Sequence, residues 1–322
     1  MRLGFVGLGW IGTMRLEAVS AVAEVAALCE PAPQRLEEVA RAHPEAATFS
    51  DFNEMLAADL RLDGVVIATP NSLHAPQTLA ALDRGLAVFC QKPLALNASE
   101  AREMVEAARK ADRLLGVDYS YRYTEGARAL RRAIEAGELG RVFSVDTVFH
   151  NAYGPDKPWC FDPRLSGGGA LMDLGVHLID LALWLLGDPG VKDVHGGAWK
   201  EGQPLGEGEV DDFANARLAL EGGASASVAV SWNAHAGQDC MIRLSAFGTS
   251  GGAEFRNVDG SFYDFELARF SGRSGEVAVR ESRDWLGKAI LDWAGRLGEG
   301  FDPGIGRSVR VSEIVDAIYK RV

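Results

Sequence analysis

One short stretch and one distant lysine carry the side chains best suited to moving a proton. Within residues 166–187 (SGGGALMDLGVHLIDLALWLLG), Asp173, His177, Asp180 and Trp184 stand at i, i+4, i+7 and i+11. That spacing sets them on one face of a helix, with Leu171, Leu174, Leu178, Leu181 and Leu185 on the other. An imidazole such as that of His177 titrates near neutrality and suits proton transfer. Asp173, one turn earlier, is placed to fix its orientation or tautomer. The same residues also read as a satisfied, ion-paired helix face, and their pattern alone leaves both readings open. A DxxxHxxD metal site is a third reading, and it lacks a clear further ligand. Gly167 to Gly169 let something approach the start of this helix closely. Lys92 follows the apolar run Ala87 to Cys90 and is fixed by Pro93. At a strand's carboxyl end such a lysine can hydrogen-bond a substrate oxygen and stabilise developing alkoxide charge. The ordinary alternative is a solvated loop lysine.

The chain opens with MRLGFVGLGWIGTMRLEAV. A short apolar run, Leu3 to Val6, leads into Gly7-Leu8-Gly9-Trp10-Ile11-Gly12 and then into a helical pattern. Strand, glycine turn and helix in this order are the context of a dinucleotide-binding fingerprint. Gly7 permits the tight turn, Gly9 lets backbone approach a pyrophosphate, and Gly12 lets the helix pack on the strand. The N–H groups of Trp10 and Ile11 then face the phosphates from a positive helix end. Glu30 closes a second apolar run, Val25 to Cys29, 18 residues after Gly12. A carboxylate there accepts from ribose hydroxyls and repels a 2′-phosphate, which favours NAD over NADP.

These side chains need rigid elements behind them. Up to about residue 118, strand and helix signals alternate: a helix over 33–43, one over 52–58, a strand over 62–68, a helix over 76–85, a strand over 87–90, a helix over 99–111 and a strand over 114–117. Repeated β-α units of this length predict a parallel, doubly wound Rossmann sheet with ligands at the strands' carboxyl ends. Those ends carry Gly7, Glu30, Thr69, Asn71, Gln91 and Lys92. Beyond residue 120 come a helix over 125–136, a long strand over 142–150 and the apolar helix over 170–186. Short strands joined by Gly-rich turns follow (212–220, 224–233, 241–247, 253–257, 261–268, 277–281), then helices over 285–297 and 311–320. The expectation is α/β overall: an N-terminal cofactor-binding domain over 1–120, and an α+β domain over 121–322 with a large, mostly antiparallel open sheet.

The 322 residues allow two domains and a full core. A formal net charge of −12 argues against a nucleic-acid surface. Four scattered cysteines without a CxxC predict neither a disulfide framework nor a metal site, and point to a reducing, cytoplasmic setting. Met1 leads straight into a core strand, which predicts no leader peptide. No apolar run is expected to reach transmembrane length.

Taken together, the chain resembles the glucose–fructose oxidoreductase / inositol dehydrogenase / rhizopine catabolism (Gfo/Idh/MocA) family of NAD(P)-dependent oxidoreductases over nearly its whole length. The resemblance rests on GLGWIG, on ATPNSLH at 68–74, on QKPLAL at 91–96, on the Arg122 region and on GGGALMDLGVHLIDLALWLLG. It implies that Lys92, Asp173 and His177 are catalytic, and that Thr69, Asn71, His74 and Arg122 lie near the cofactor. It further implies hydride exchange between nicotinamide and a secondary alcohol or ketone of a sugar, sugar acid or inositol. Asn151, Tyr153, Trp159, Arg164 and His235 are the candidate substrate contacts. The same fold acting on a dihydrodiol or an imine, or binding NAD only as a sensor, are the alternatives. An open sheet in the second domain suggests a homodimer or homotetramer. One departure stands out: the family's usual Glu-Lys-Pro is here Gln91-Lys92-Pro93, which keeps size and hydrogen bonding and drops a charge.

Overall fold

Buried on both faces, a strand can be apolar throughout, and the first unit is built from such strands. The computed structural model describes residues 1–320. Its first unit contains β1 (Arg2–Val6), α1 (Trp10–Val19), β2 (Glu24–Cys29), α2 (Pro33–Ala40), β3 (Ala47–Phe49), α3 (Phe52–Ala57), β4 (Gly64–Ile67), α4 (His74–Asp83), β5 (Ala87–Cys90), α5 (Ala98–Ala111) and β6 (Leu115–Val117). The six strands pair in parallel in the order β3-β2-β1-β4-β5-β6. The order reverses between β1 and β4, so the carboxyl ends of those two strands flank a crevice. Local chemistry sets the helix starts. The Asp51 carboxylate accepts from the N–H groups of Asn53 and Glu54 at α3, the Asn97 amide oxygen accepts from that of Glu100 at α5, and Pro33 begins α2. The helix expected over 33–43 stops at Ala40, and β3, only three residues long, has no counterpart among the expected strands.

The second unit is organised by alternation. It contains α6 (Glu125–Glu135), β7 (Val142–Asn151), α7 (Pro163–Ser166), a π-helical turn (Leu171–Gly175) running into α8 (Val176–Leu185), and then β8 (Val191–Lys200), β9 (Gln203–Pro204), β10 (Phe213–Leu220), β11 (Ser225–Ser231), β12 (Cys240–Gly248), β13 (Gly252–Asn257), β14 (Phe265–Ser271) and β15 (Ser274–Glu281). Nine strands form one sheet in the order β15-β14-β13-β12-β7-β11-β10-β8-β9, antiparallel except where β7 meets β11. Along β10, Ala214, Ala216, Leu218 and Leu220 are buried while Asn215, Arg217 and Ala219 are exposed. Side chains of one parity face α6 and α8, and the other face of the sheet is open. The segment Pro163–Leu185 is, by length and composition, apolar enough to cross a membrane, contrary to expectation. With 83% of its apolar window buried, it is a core element of this unit.

The boundary expected at 120 falls at Asp118, but the expected continuous second domain over 121–322 is corrected. The first unit takes Met1–Asp118 together with Gly287–Ser312; the second takes Tyr119–Leu286 and the chain from Glu313. The returning segment carries α9 (Lys288–Gly295) and the start of α10 (Gly306–Tyr319). Its anchor is Trp293, 3% exposed. The Trp293 ring lies 5.6 Å from that of Phe89, and a Cβ at Gly64 or Gly116 would come within 2.8 Å of the indole. Two strand glycines therefore open the notch that one tryptophan fills. The helix expected over 285–297 is broken accordingly: Trp285 ends a separate 3-10 turn and stacks on Tyr121, both in the second unit.

Candidate active site

The glycine loop divides its labour as its spacing suggests. Gly7 has φ 81° and sits so close to the strand-β4 exit that a Cβ would lie 2.6 Å from the Ala68 carbonyl. A Cβ at Gly12 would collide with the Gly7 carbonyl oxygen, whereas one at Gly9 would meet nothing within 4 Å. Gly7 and Gly12 are thus glycine for the protein's own packing, and Gly9 leaves clearance on the side where α1 presents its first N–H groups. No acidic residue occupies that first turn, and Trp10 is exposed beside it. The loop fits a dinucleotide pyrophosphate. Glu30 also holds the loop: its carboxylate accepts from Leu8 N–H at 2.8 Å and from Ala32 N–H at 3.2 Å. Arg35, absent from the sequence expectations, grips the loop from α2 by donating to the Leu8 carbonyl and, at 2.9 Å, to Thr13 Oγ1.

After β4 and β5 the chain forms the two loops that carry Thr69, Asn71 and Lys92. Thr69 donates its hydroxyl to Gln77 Oε1 at 2.7 Å, and Asn71 is buried at the head of a 3-10 turn. His74, expected beside the cofactor, is fully buried, with Nδ1 2.8 Å from the Pro93 carbonyl and Nε2 2.9 Å from that of Thr69. Its ring therefore ties one loop to the other. Burial pushes its pKa down, and a neutral ring donates to only one of the two carbonyls.

The departure at Gln91 has a physical reason. Gln91 Nε2 donates to Asp118 Oδ2 at 2.7 Å, and Gln91 Oε1 accepts from the Lys92 N–H at 3.1 Å. The same Asp118 oxygen pairs with Arg15 Nε, in a side-chain ion pair 0% and 4% exposed. The Arg15 charge is answered here by a buried carboxylate. A glutamate at 91 would add a second carboxylate against the first. Lys92 follows at the carboxyl end of β5, half-buried, joined to Pro93 by a cis peptide bond.

In the second unit the helix that bears Asp173 and His177 begins as a π turn, an insertion that recurs at functional sites. Asp173 Oδ2 accepts from the Trp232 indole N–H at 3.2 Å, so the end of β11 positions this carboxylate. The His177 ring stands edge-on to Tyr121 at 5.0 Å and to Tyr119 at 6.4 Å. Asp180 belongs to a different group: its carboxylate binds the Arg122 guanidinium through two contacts, one of them 2.6 Å. Burial works against the Arg122 charge, and the Asp180 carboxylate outweighs it, raising the arginine's pKa. Arg122, expected near the cofactor, is engaged by Asp180 and lies over the Tyr119 ring. Trp184 carries Arg131 on its face at 4.6 Å. The face expected to act as one therefore splits into an upper pair, Asp173 and His177, and structural pairs below.

What approaches the helix start through Gly167 to Gly169 is the protein itself. Asp211, fully buried, accepts from Gly169 N–H at 2.6 Å, from Leu171 N–H at 2.9 Å and from the Tyr319 hydroxyl. A Cβ at Gly169 would strike the Asp211 carbonyl, and one at Gly168 the Tyr319 hydroxyl. Burial raises the Asp211 pKa against the pull of these donors. The glycines announced a close approach; nothing in their pattern named its source.

The candidate substrate contacts differ in setting: the segments of Asn151, Tyr153 and His235 adjoin, with Ala234 N–H donating to the Asn151 carbonyl and Gly154 N–H to Asn233 Oδ1. Asn151 ends β7 with its amide oxygen buried and accepting no hydrogen bond. Tyr153 is 53% exposed, Trp159 is half-buried in a 3-10 turn, and His235 is exposed. Arg164 is fully engaged with its neighbour Asp162 at 2.7 Å and 87% exposed, so its charge is answered locally.

Comparison with known proteins matches both units. Residues 1–119 match the oxidoreductase family with an NAD-binding Rossmann fold, and residues 127–254 match the GFO/IDH/MocA C-terminal domain. The rhizopine catabolism protein MocA of Rhizobium meliloti is 32% identical over 79% of this chain and 78% of its own. A D-glucoside 3-dehydrogenase of Escherichia coli is 33% identical, over 53% of this chain and only 49% of that protein. A solved levoglucosan dehydrogenase, in complex with NADH and levoglucosan, superimposes with TM-score 0.83 and 24% identity over 99% of this chain and 96% of its own. With both domain models matched in order, and a relative of this identity aligned over most of both lengths, the chain belongs to the GFO/IDH/MocA family of NAD-binding oxidoreductases.

Proposed function

We propose that this protein is an NAD-dependent dehydrogenase that oxidises a secondary alcohol of a sugar, sugar acid or inositol, or reduces the corresponding ketone. One observation carries the reading. On a helix otherwise buried or ion-paired, Asp173 and His177 lie half-exposed on the π turn and the first turn of α8, each oriented by an aromatic neighbour. Relatives named for rhizopine catabolism, levoglucosan and inositol support the polyol class. His177 takes the hydroxyl proton in oxidation and returns it in reduction. Asp173, held by Trp232, orients the imidazole and stabilises its charged form. Lys92 hydrogen-bonds the reacting oxygen and stabilises its developing charge. The nicotinamide, when bound, accepts or supplies the hydride. Gly7, Gly9, Trp10, Ile11, Gly12 and Glu30 hold the dinucleotide, and Glu30 favours NAD over NADP.

Four free cysteines suit a reducing cytoplasm. Homodimers or homotetramers assemble through the open sheet face, where Phe247 and Phe270 stand exposed in one cross-strand row. Titration with NADH and NADPH, then a 340 nm screen against sugars, sugar acids and inositols, tests the function. His177→Asn should lower kcat by about 10²–10⁴ with NADH affinity unchanged. Binding without turnover of any polyol would remove the enzyme reading.

A further inference from the structure

We infer that the substrate site continues from Asn151 onto an exposed aromatic ledge that takes a second ring, so that the favoured substrate is a neutral glycoside or disaccharide. This rests on the polyol reading above and extends it. The ledge starts at Trp232, which donates to Asp173 and meets Phe161 in an edge contact at 5.8 Å. The Phe161 ring lies against Gly154, where a Cβ would come within 3.6 Å of it. Tyr153, next in the chain, pairs with Phe262 at 6.3 Å. Exposure grows outward along this run: Trp232 is 4% exposed, Phe161 50% and Tyr153 53%. Two large aromatic rings half in water, contiguous with a carboxylate and an imidazole, suit the apolar face of a ring better than they suit solvent.

Asn151 supplies the polar anchor. Along β7, Val145, Thr147 and Phe149 are buried on the helix-facing side, Phe149 meets Tyr121, and Tyr121 meets His177. Alternation puts Asn151 one pleat further along that side. Its Oδ1 is buried and takes no hydrogen bond, a state that demands a donor. A sugar hydroxyl, both donor and acceptor, satisfies the amide whichever way it is turned. The charges nearby point to an uncharged ligand. Arg164 is engaged by Asp162. Partial burial first, and then the Asp239 carboxylate, raise the Tyr153 pKa, and that carboxylate would repel an anion.

The test compares phenyl β-D-glucoside with D-glucose. In Phe161→Ala and Tyr153→Ala the ratio of kcat/KM for the glucoside to that for glucose should fall about three- to tenfold. Phe161→Trp should restore it. An unchanged ratio overturns the inference while the dehydrogenase reading stands. If no sugar is turned over, that reading fails by itself. Calorimetry with phenyl and methyl β-D-glucoside, NADH present, then decides the ledge: an affinity ratio unmoved by Phe161→Ala, or no binding of either glucoside, overturns it. A changed oligomeric state at constant ratio assigns the rings to a subunit contact and overturns it as well.

Discussion

Asp118 holds the carboxylate that the loop before Lys92 lacks. Arg15 and Asp118 form a buried ion pair, and the Gln91 amide beside it reaches both Asp118 and the Lys92 backbone. Gln91→Glu would set a second carboxylate directly against Asp118. Like charges raise the pKa of one, so the variant is closest to wild type when that group is protonated and loses stability as pH rises through it. The expected loss at pH 8 is on the order of 2–3 kcal/mol, read as a lower melting temperature than at pH 5. Asp118→Asn in the Gln91→Glu background should recover most of it, and a double variant no better than the single would show that charge is not the reason for glutamine here. Lys92, Asp173 and His177 were each legible as side chains able to do chemistry. Their fixers were not: Asp118 lies 103 positions from Arg15, and Trp232 is 59 from Asp173. Periodicity and motif spacing report neighbours along the chain, and these contacts each join a helix to the end of a strand far off in sequence.

The glycine loop shows how far a motif can be read as mechanics. Gly9 alone has open space where a methyl would go. Gly9→Ala should therefore leave the melting temperature nearly unchanged and weaken NADH binding. Gly12→Ala should instead destabilise the first unit by about 3 kcal/mol or more, because the methyl meets the Gly7 carbonyl. Equal effects of the two changes on stability would contradict this division. Most strands and helices were legible because parallel, buried strands and amphipathic helices each have their own period; β8, whose exposed and half-buried residues follow no clean alternation, and the two-residue β9 were not among the expected strands. The π turn was not, since a single extra residue per turn leaves the hydrophobic pattern of Leu171, Leu174 and Leu178 intact. Nor was β3, whose three residues are too few to show a period. The triple glycine marked a close approach at the right place, and only the fold could identify Asp211 and Tyr319 as its cause.

At the scale of the whole molecule, acid should be destabilising through its histidines. Burial lowers the pKa of His74 and of His150 from 6.5, and the Arg243 charge adds to this at His150. Below pH 6.5 the unfolded chain takes up protons that these folded sites refuse, so stability is present at higher pH and declines as pH falls. The melting temperature should drop between pH 7.5 and 5.5, and His150→Asn should make that drop shallower; a slope unaffected by the substitution would exclude His150 as a contributor. The return of Gly287–Ser312 to the first unit carries a different consequence, for synthesis and for engineering. A ribosome releases the cofactor-binding half first, yet its Trp293 plug emerges only near the end of translation. For most of its time on the ribosome that half shows an open notch at Gly64 and Gly116. A fragment ending at Asp118 should be aggregation-prone and protease-sensitive, and grafting 287–312 onto it through a flexible linker should render it soluble. Anyone recombining this half with another must therefore transplant two pieces of gene, since a single crossover near residue 120 leaves the plug behind.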